Sequence, residues 1–450
     1  MTDAAYKARV PVHAIDVVAS GRGRRGRSTF DLGENFTCST VGLESYAFAQ
    51  WEPVIYDAMI VAASIEYADR SFPRPKLGWS RDFTVRLPVL EPERWMDRAV
   101  YDALQDAASF LTGDDWAFEF IQRDGETPHP PQHCLQFSIT TDAVIAFSDG
   151  MDSRAVAGLT AQALGRKLVR VRIGSKAGGR PEAGEPLPFA TVPYNVRASG
   201  ETSARSRGFK FAFISGIAAY LTEASEIILP ESGQGIFGPA LVTSSAQAYP
   251  DYRSHPLFTN RMERFLTALL KRQVRFVFPR IWSTKGETLQ AYASLPGSDD
   301  WRETRSCWQN ARHCSLNGEL IQCGVCAACM LRRMSIYAAG LIDDTAYACR
   351  DLHAETFEDS VQPGFRIRGH ALREYAIAGA QHLDYLADLV LPLHRSVLRR
   401  HAVLVGPALD MSAPVVETAL ATVLERHAAE WNDFLQDKGA RSFLRQWTRV

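Results

Sequence analysis

Residues 143–165 read AVIAFSDGMDSRAVAGLTAQALG. A short apolar run ends in Ser-Asp-Gly-Met-Asp-Ser and Ala/Leu-rich helical spacing follows at once, so the pattern predicts a strand, a tight turn and a helix. In an α/β sheet, ligands gather beyond the carboxyl ends of the strands. A helix that starts there presents unpaired N–H groups and the positive end of its dipole, which suit phosphate. Ser148, Gly150 and Ser153 are small enough for backbone amides to close round a pyrophosphate. Asp152 and Ser153 fit two roles: capping the first helical turn, or holding Mg2+ (Asp152) and a phosphate oxygen (Ser153). The lysine of a Walker A loop is absent, which excludes that class of nucleotide site. On these six residues alone, an ordinary turn with an N-cap is an equal reading.

The alternation continues outward. "DAVIAFS" (142–148) and "KLVRVRI" (167–173) predict strands, with "SRAVAGLTAQALG" (153–165) a helix between them. A Gly/Pro-rich loop is expected over about 174–206. Helix "GFKFAFISGIAAYLTEA" (208–224), strand "EIIL" (226–229), a long loop, helix "NRMERFLTALLKR" (260–272), strand "VRFVFP" (274–279) and helix "TKGETLQAYASL" (284–295) follow. Such β-α-β order implies a mostly parallel sheet with helices on both faces. Ahead of it, residues 1–135 predict an α+β unit, with strands "FTVRLPV" (83–89) and "WAFEFI" (116–121) around helical "EPERWMDRAVYDALQDAASFL" (91–111). Pro-rich "RDGETPHPPQHC" (123–134) reads as a linker. The expected domains are therefore an N-terminal α+β unit at 1–135, a parallel α/β domain at 142–348 and a C-terminal helical region at 349–450.

The formal net charge of −1 over 450 residues gives no global field for nucleic acid or an anionic membrane. One local basic cluster, "SGRGRRGRS" (20–28), is short and Gly-rich and reads as a solvated flexible arm. The N-terminus lacks the apolar core of a signal peptide, and no run approaches the length of a membrane span. Cytoplasm is the expectation, with neither nucleic acid nor membrane as a partner.

Four of the eight cysteines crowd into one stretch, where Cys307, Cys323, Cys326 and Cys329 stand as C-x15-C-x2-C-x2-C. One distant thiolate and a compact knuckle suit tetrahedral zinc. His313 and Cys314 lie between them as competing ligands, and four thiolates also suit an iron–sulfur cluster. A structural zinc with Cys314 free is the expectation. Cys38, Cys134 and Cys349 are scattered and read as structural.

Ser148-Asp149-Gly150-Met151-Asp152-Ser153 resembles the Ser-Gly-Gly-x-Asp-Ser PP-loop of ATP pyrophosphatases, with Asp149 where that family has a glycine. Aspartate tolerates left-handed backbone angles better than most residues, but its carboxylate must turn from the phosphates or be offset, for which Arg154 is the expected partner. Loop and knuckle together are similar to the QueC family, the 7-cyano-7-deazaguanine synthases. "YPDYR" (249–253) is similar to that family's Tyr-Pro-Asp-Cys-Arg, with Tyr252 in place of the cysteine. Lys285 and Glu287 match its Thr-Lys-x-Glu, and Ser306-Cys307-Trp308 its Ser-Cys-Tyr. Arg207 occupies the Arg of its Arg-Asn, with Gly208 departing from the asparagine, and "CGVCAACMLRRMSIYAAGLIDDTAY" (323–347) follows its ending. The resemblance covers about 142–348. A long chain of this kind with "FLTGDDWAFEF" (110–120) ahead of the loop is similar to the QatC group of the bacterial Qat anti-phage defence system.

The resemblance implies adenylation of a 7-carboxy-7-deazaguanine-type carboxylate by ATP, loss of pyrophosphate, and attack by an amine to give an amide or nitrile. ATP, Mg2+ and Zn2+ are the implied cofactors. Implied roles are nucleotide binding for Ser148, Asp149, Gly150, Met151, Asp152 and Ser153, catalysis for Asp152, Lys285 and Arg207, substrate contact for Asp251, Arg253 and Glu231, and metal ligation for the four cysteines. Ser232 and Gln234 are further candidates to line the pocket. Asp251 and Arg253 read equally as a loop ion pair, and Lys285 almost equally as a surface lysine starting a helix. Arg332 and Arg333 are expected to brace the knuckle. The added length suggests a macromolecular acceptor, a QatB-like protein of the same defence operon. The alternative is a catalytically weakened nucleotide-binding subunit acting as a scaffold, favoured by Asp149. Sulfur transfer to tRNA fits poorly, because the chain is not basic and its clustered thiols are committed to metal.

Overall fold

The computed structural model describes residues 12–42, 52–76, 78–124, 141–174, 189–243, 249–309, 314–367 and 370–449. The expected linker lies mainly outside them, as do Cys134 and His313. Strands β1 (Val12–Val18) and β2 (Ser28–Asp31) open the chain, and the short β3 (Phe36–Cys38) follows. Helix α1 (Pro53–Ser71) leads to β4 (Asp82–Val89), and α2 (Arg98–Thr112) to β5 (Asp115–Gln122). The sheet runs β2-β1-β4-β5 with every ladder parallel. The N-terminal unit is therefore α/β, not the α+β arrangement expected from its sequence. Parallel neighbours need a return crossover, and α1 and α2 supply two of them. The expected single helix at 91–111 breaks at Asp97, whose carboxylate accepts from Ala99 N (3.0 Å) and Val100 N (3.3 Å) and so starts α2 afresh.

The basic stretch at 20–28 also departs from expectation. It is no loose arm but the crossover from β1 to β2. Gly21 N donates to Asp31 Oδ2 at 2.7 Å, Arg24 N to Asp16 Oδ2 at 2.6 Å, and Arg27 pairs with Glu119 at 3.5 Å. The glycines that suggested flexibility take positive φ at Gly21 and Gly26, where the chain turns back.

The central sheet comprises β6 (Ala143–Ala146), β7 (Leu168–Ile173), β8 (Phe189–Val192), β10 (Glu226–Ile228) and β11 (Arg275–Val277), in the order β11-β10-β6-β7-β8 and parallel throughout. Helix α3 (Met151–Leu164) covers one face: Ala143, Ile145 and Leu168 pack with Val156 and Ala157. Helices α4 (Arg207–Leu221) and α6 (Pro256–Leu270) cover the other, where Val144, Val169 and Ile227 meet Phe209, Phe213, Phe265 and Leu266. The same apolar core continues without a break into Ile15, Val85 and Trp116 of the N-terminal sheet. Each fully buried side chain of this kind contributes about 1.5–3 kcal/mol.

Two loops of the sequence reading contain structure. The expected loop at 174–206 holds β8 and also β9 (Tyr194–Val196), which pairs antiparallel with β3. Their shortness, and Pro193 between them, hid two largely buried strands that neighbouring strands stabilise. The loop after β10 holds α5 (Gly233–Leu241). Helix α7 (Lys285–Ala293) follows β11, then the hairpin β12 (Ser315–Leu316) and β13 (Glu319–Leu320), and α8 (Ala327–Ala338). Helices α9 (Ala371–Asp388), α10 (Arg395–Val405) and α11 (Ala413–Lys438) form the C-terminal region, where Trp431 and Phe434 pack against Met330 and Met334 of α8. Among the described residues no single helix is long and apolar enough to cross a membrane.

Candidate functional site

Strand β6 has β7 on one side and β10 on the other, so the strand order reverses at its carboxyl end. That is where a doubly wound sheet opens a crevice, and residues 148–153 fill its rim. Ser148 Oγ lies 2.9 Å from Ser153 Oγ, and Gly150 N donates to Ser148 Oγ at 3.2 Å. Gly150 is the N-cap of α3, and no side chain caps the helix. The capping role allowed for Asp152 and Ser153 is thus not taken, and the amides of the first turn face the loop. Met151 contributes only its main chain here, because its side chain is buried at 1% exposure among Ala155, Leu289 and Trp301. The expected offset of Asp149 by Arg154 is also corrected. Arg154 pairs with Asp300 at 3.2 Å, and among the described residues the cation facing Asp149 is Arg172, from β7, at 3.4 Å.

Asp152 sits in the first turn of α3 and is 9% exposed. Lys285 Nζ donates to its Oδ2, while among the described residues the buried Oδ1 has no hydrogen-bond partner. Lys285 is not a surface lysine: it is 7% exposed and turned inward. Glu231, at the end of the segment after β10, completes the group. Burial and the Asp152 carboxylate push its carboxyl up to about 8, and the Lys285 and Arg253 cations offset part of that rise. Of the groups in this confined site, Glu231 is the one whose proton is held well above the ordinary carboxylate range.

Asp251 and Arg253 form the ion pair that the sequence allowed: Arg253 Nε donates to Asp251 Oδ2 at 2.8 Å, and Arg205 approaches the same oxygen at 3.4 Å. Burial alone would raise Asp251, but the Arg253 guanidinium holds it below the usual carboxylate range. Arg207 begins α4 with its side chain exposed and its guanidinium 5.4 Å over the Phe211 ring. Among the described residues it makes no hydrogen bond or ion pair with Asp152 or Lys285, so the expected catalytic trio is brought together only as a pair. The neighbouring Gly208 has a physical reason for not being asparagine. A Cβ there would lie 2.7 Å from Arg253 Cβ and 2.9 Å from its Cα. Gly208→Ala is accordingly expected to displace the 249–253 segment and cost about 1–3 kcal/mol, read as a lowered melting temperature; an unchanged melting temperature would contradict the close approach.

The sequence did not reveal what fixes this segment. Asp69, on α1, accepts from Arg205 N (2.6 Å) and Ser206 N (2.7 Å) at the start of α4, and its other oxygen holds Arg81 at 2.5 Å. Asp114 closes the set with Arg81 at 2.7 Å and Arg74 at 2.8 Å. These groups are almost wholly buried, so removing one partner would strand a charge.

Helix α11 was equally unforeseen as a support. Thr284 and Glu287 form a capping box on either side of Lys285, and Lys285 N donates to Gln234 Oε1 at 2.6 Å. Gln234 Nε2 lies 2.9 Å from His427 Nδ1 and 3.3 Å from Glu430 Oε2, and Thr284 Oγ1 also donates to Glu430. His427 Nε2 must donate to Leu383 O (2.9 Å), which leaves Nδ1 to accept from Gln234. Burial raises Glu430 from 4.5 to about 7, against the hydrogen bonds from Thr284 and Gln234. The folded chain thus holds this proton more tightly than the unfolded one. Stability from it is full below about 4.5 and is lost as the pH rises through about 7. Glu430→Gln should flatten the fall in melting temperature across that window, and an unaltered pH slope would refute the assignment.

The four cysteine sulfurs lie within 4.8 Å of one another, and Cys323 Sγ is 3.7 Å from Cys329 Sγ. A tetrahedron of Zn–S bonds of about 2.3 Å separates its sulfurs by about 3.8 Å, so the set fits a single ion. Backbone amides point at the sulfurs: Cys323 N and Gln309 N at Cys307 Sγ (3.2 and 3.4 Å), and Cys326 N at Cys323 Sγ (3.2 Å). Such donors stabilise thiolates. Gln322, which the sequence did not single out, anchors Ser306 N at 2.9 Å and Cys307 N at 3.2 Å. Gly324 takes φ +83° with Cys349 O where a Cβ would sit (2.6 Å), so the first of the two residues between Cys323 and Cys326 has to be glycine. Arg332 donates to Thr304 Oγ1 (2.6 Å) and Arg333 to Cys349 O (2.9 Å), tying α8 to the segments on either side of the knuckle. Cys314 is buried but is not one of the four.

The metal centre and the strand-end loop are physically joined, since Arg305 N donates to Asp149 O at 2.7 Å. Comparison with curated proteins and with solved structures gives no match. The family model for the queuosine biosynthesis protein QueC matches residues 218–340, from within α4 to the end of α8 and including Glu231, Asp251, Arg253, Lys285 and all four clustered cysteines, and over that stretch the chain is similar to the QueC family.

Proposed function

We propose that this chain is an ATP-dependent carbon–nitrogen ligase that adenylates a 7-carboxy-7-deazaguanine-type carboxylate and passes the acyl group to an amine. The observation that carries the reading is Asp152. It is nine-tenths buried at an uncapped helix start, with Lys285 on one oxygen and, among the described residues, no hydrogen-bond partner on the other, and the Glu231 carboxyl stands beside it. A buried carboxylate oxygen without a donor is costly unless something cationic or protic meets it. Mg2+ carrying a nucleotide fits, and Asp152 Oδ1 would hold it. When bound, the ion would neutralise charge on the phosphates.

The chain's own residues have separable roles. The Gly150–Ser153 amides and the Ser148 and Ser153 hydroxyls hold the phosphates. Lys285 stabilises charge on the departing pyrophosphate, which leaves as the substrate carboxylate forms its bond to the α-phosphorus. Glu231, protonated near neutral pH and freed of its proton above about 8, takes the proton that the attacking amine loses as the acyl–oxygen bond to AMP breaks. Arg253, held by Asp251, contacts the purine-like ring system. The zinc-bound knuckle is structural: it fixes Arg305 and through it the loop carbonyl of Asp149.

The N- and C-terminal regions, at 1–135 and 349–450, support a protein acceptor of the QatB-like kind in an anti-phage setting, with cytoplasm as the compartment. The test is to incubate the chain with Mg·ATP and 7-carboxy-7-deazaguanine and to measure pyrophosphate. Substrate-dependent release supports the ligase. ATP binding with no release under any amine supply would support the scaffold reading, which the acidic side chain in the loop favours. Mass analysis of a co-expressed operon partner that shows no added deazapurine would remove the protein-acceptor part.

A further inference from the structure

Six of the fourteen large apolar side chains exposed among the described residues fall within 391–415: Leu391, Leu393, Val397, Val403, Leu404 and Val415. They stand on α10, on the helical turn ahead of it (Pro392–His394, capped by Leu391) and on the first turn of α11. Apolar side chains scattered singly over a surface need no account, but a run this dense marks a contact. Helix α10 is fixed on its other face, where Leu398, Ala402 and Val405 are buried in one cluster with Phe237 of α5 and Leu420 of α11. Outward, Val397, Arg400 and Leu404 follow the i, i+3, i+7 spacing that sets residues on one side of a helix. The stripe is thus held rigid from behind, while Leu393 is 71% and Leu404 55% exposed.

Its rim is basic. Arg399 and Arg400 are exposed and form no ion pair among the described residues, and Arg395 meets Glu417 only at 3.7 Å. Asp410, the other acid within 391–417, pairs with Arg275. These charges choose the occupant. A second copy would set arginine against arginine across a two-fold contact. A helix that lies in a lipid surface buries its whole apolar face there, with Trp or Phe among the anchors. Here the larger apolar face of α10 is already buried in the protein, and 391–415 contains no Trp, Tyr or Phe. An acidic protein segment suits both the stripe and the guanidinium rim.

We propose that the Leu393–Leu404 stripe docks an acidic amphipathic helix of a partner protein. Apolar residues of that helix, three or four apart, lie along Val397 and Leu404, and its carboxylates pair with Arg399 and Arg400. Exposure and charge carry the surface; that its occupant is the acyl acceptor rests on the ligase reading. Pairing at the rim steers association, so binding weakens as salt rises.

The test places a photo-cross-linking amino acid at Val397, at Leu404 or, as a control, at Ile342, an exposed apolar residue elsewhere, in the full chain co-expressed with its operon neighbours. Mass spectrometry identifies the joined segment, which is then synthesised as a peptide and titrated calorimetrically against the full chain. Cross-links from 397 and 404 but not from 342, to one acidic segment with helical apolar spacing, are expected. Leu404→Asp should weaken that peptide about tenfold or more, and Arg399→Glu with Arg400→Glu about tenfold. A peptide with its acidic residues reversed to basic should recover part of the second loss. Melting temperatures should stay close to the parent, because these side chains are exposed. A cross-link to a second copy of this chain or to a segment that is not acidic, no cross-link from either position, or a peptide affinity that ignores Leu404→Asp overturns the proposal. So does sedimentation with phosphatidylserine–phosphatidylcholine vesicles that Leu404→Asp abolishes. Pyrophosphate release keeps the two readings apart, since Leu404→Asp should leave it within about twofold in the isolated chain. Lost docking with intact release removes this surface alone, and docking without release removes only the ligase reading.

Discussion

Cys326→Ser is expected to empty the metal centre and lower the melting temperature by on the order of 10 °C. Cys326 is fully buried, so the substitution removes one of four thiolate ligands from a site closed to solvent, while its backbone amide still donates to Cys323 Sγ at 3.2 Å. Structural zinc in small finger peptides is worth about 10–16 kcal/mol of apparent folding free energy. A domain with its own core keeps part of its stability without the ion, which sets the smaller figure here. The loss should not stay local. Cys323, Cys326 and Cys329 share one apolar cluster with Met330 and Met334 of α8, Leu383 of α9 and Trp431 of α11. The C-terminal helices should therefore unfold with the knuckle in one transition. The check is metal content by elemental analysis alongside thermal melting. A purified chain with no stoichiometric zinc, or a Cys326→Ser variant that melts like the parent, would sink the assignment.

Asp152→Asn is expected to lower pyrophosphate release about 10²–10³-fold, the range found when one preorganised charge-stabilising group is removed. The substitution is nearly isosteric, so the loop survives, but Lys285 loses its counterion at 7% exposure. Breaking a buried pair by removing one partner typically costs about 3–5 kcal/mol. Glu231 provides a way to tell catalysis from stability. After burial, the Asp152 charge is the largest cause holding its carboxyl up at about 8. With that charge gone and Lys285 still present, Glu231 should ionise at lower pH and become the counterion in its place. Asp152→Asn should therefore lose less stability than a stranded lysine implies, whereas Asp152→Asn with Glu231→Gln should lose it in full. The measurement is melting temperature and pyrophosphate release for both variants. Pyrophosphate release within tenfold of the parent in Asp152→Asn would remove Asp152 from the chemistry.

Much of the site was legible because its signals are local. The small and acidic residues at 148–153 sit at the end of an apolar run, and strand β6, the turn and helix α3 follow from that pattern. The cysteine spacing likewise led to four sulfurs within 4.8 Å. Readings failed where a partner distant in sequence decides. Arg172 replaced Arg154 opposite Asp149 because register in the β6–β7 ladder, not proximity along the chain, sets which cation faces the loop. Strands β8 and β9 escaped because three- and four-residue runs acquire their structure only from the strands beside them.

The sequence by itself determined the β-α-β order, the turn that opens the crevice and the clustered thiols, since each rests on periodicity or on neighbours a few residues apart. Only the tertiary structure decided that Lys285 turns inward to Asp152, that Glu231 joins them as a protonated acid, and that Asp69 and Glu430, from opposite ends of the chain, hold the two walls of the site. Those outcomes depend on desolvation and on charges meeting across 130 to 200 positions, as Asp69 with Arg205 (136 apart) and Gln234 with Glu430 (196 apart) do. The energy of a buried charge is fixed by what surrounds it in space, which no local pattern in the chain encodes.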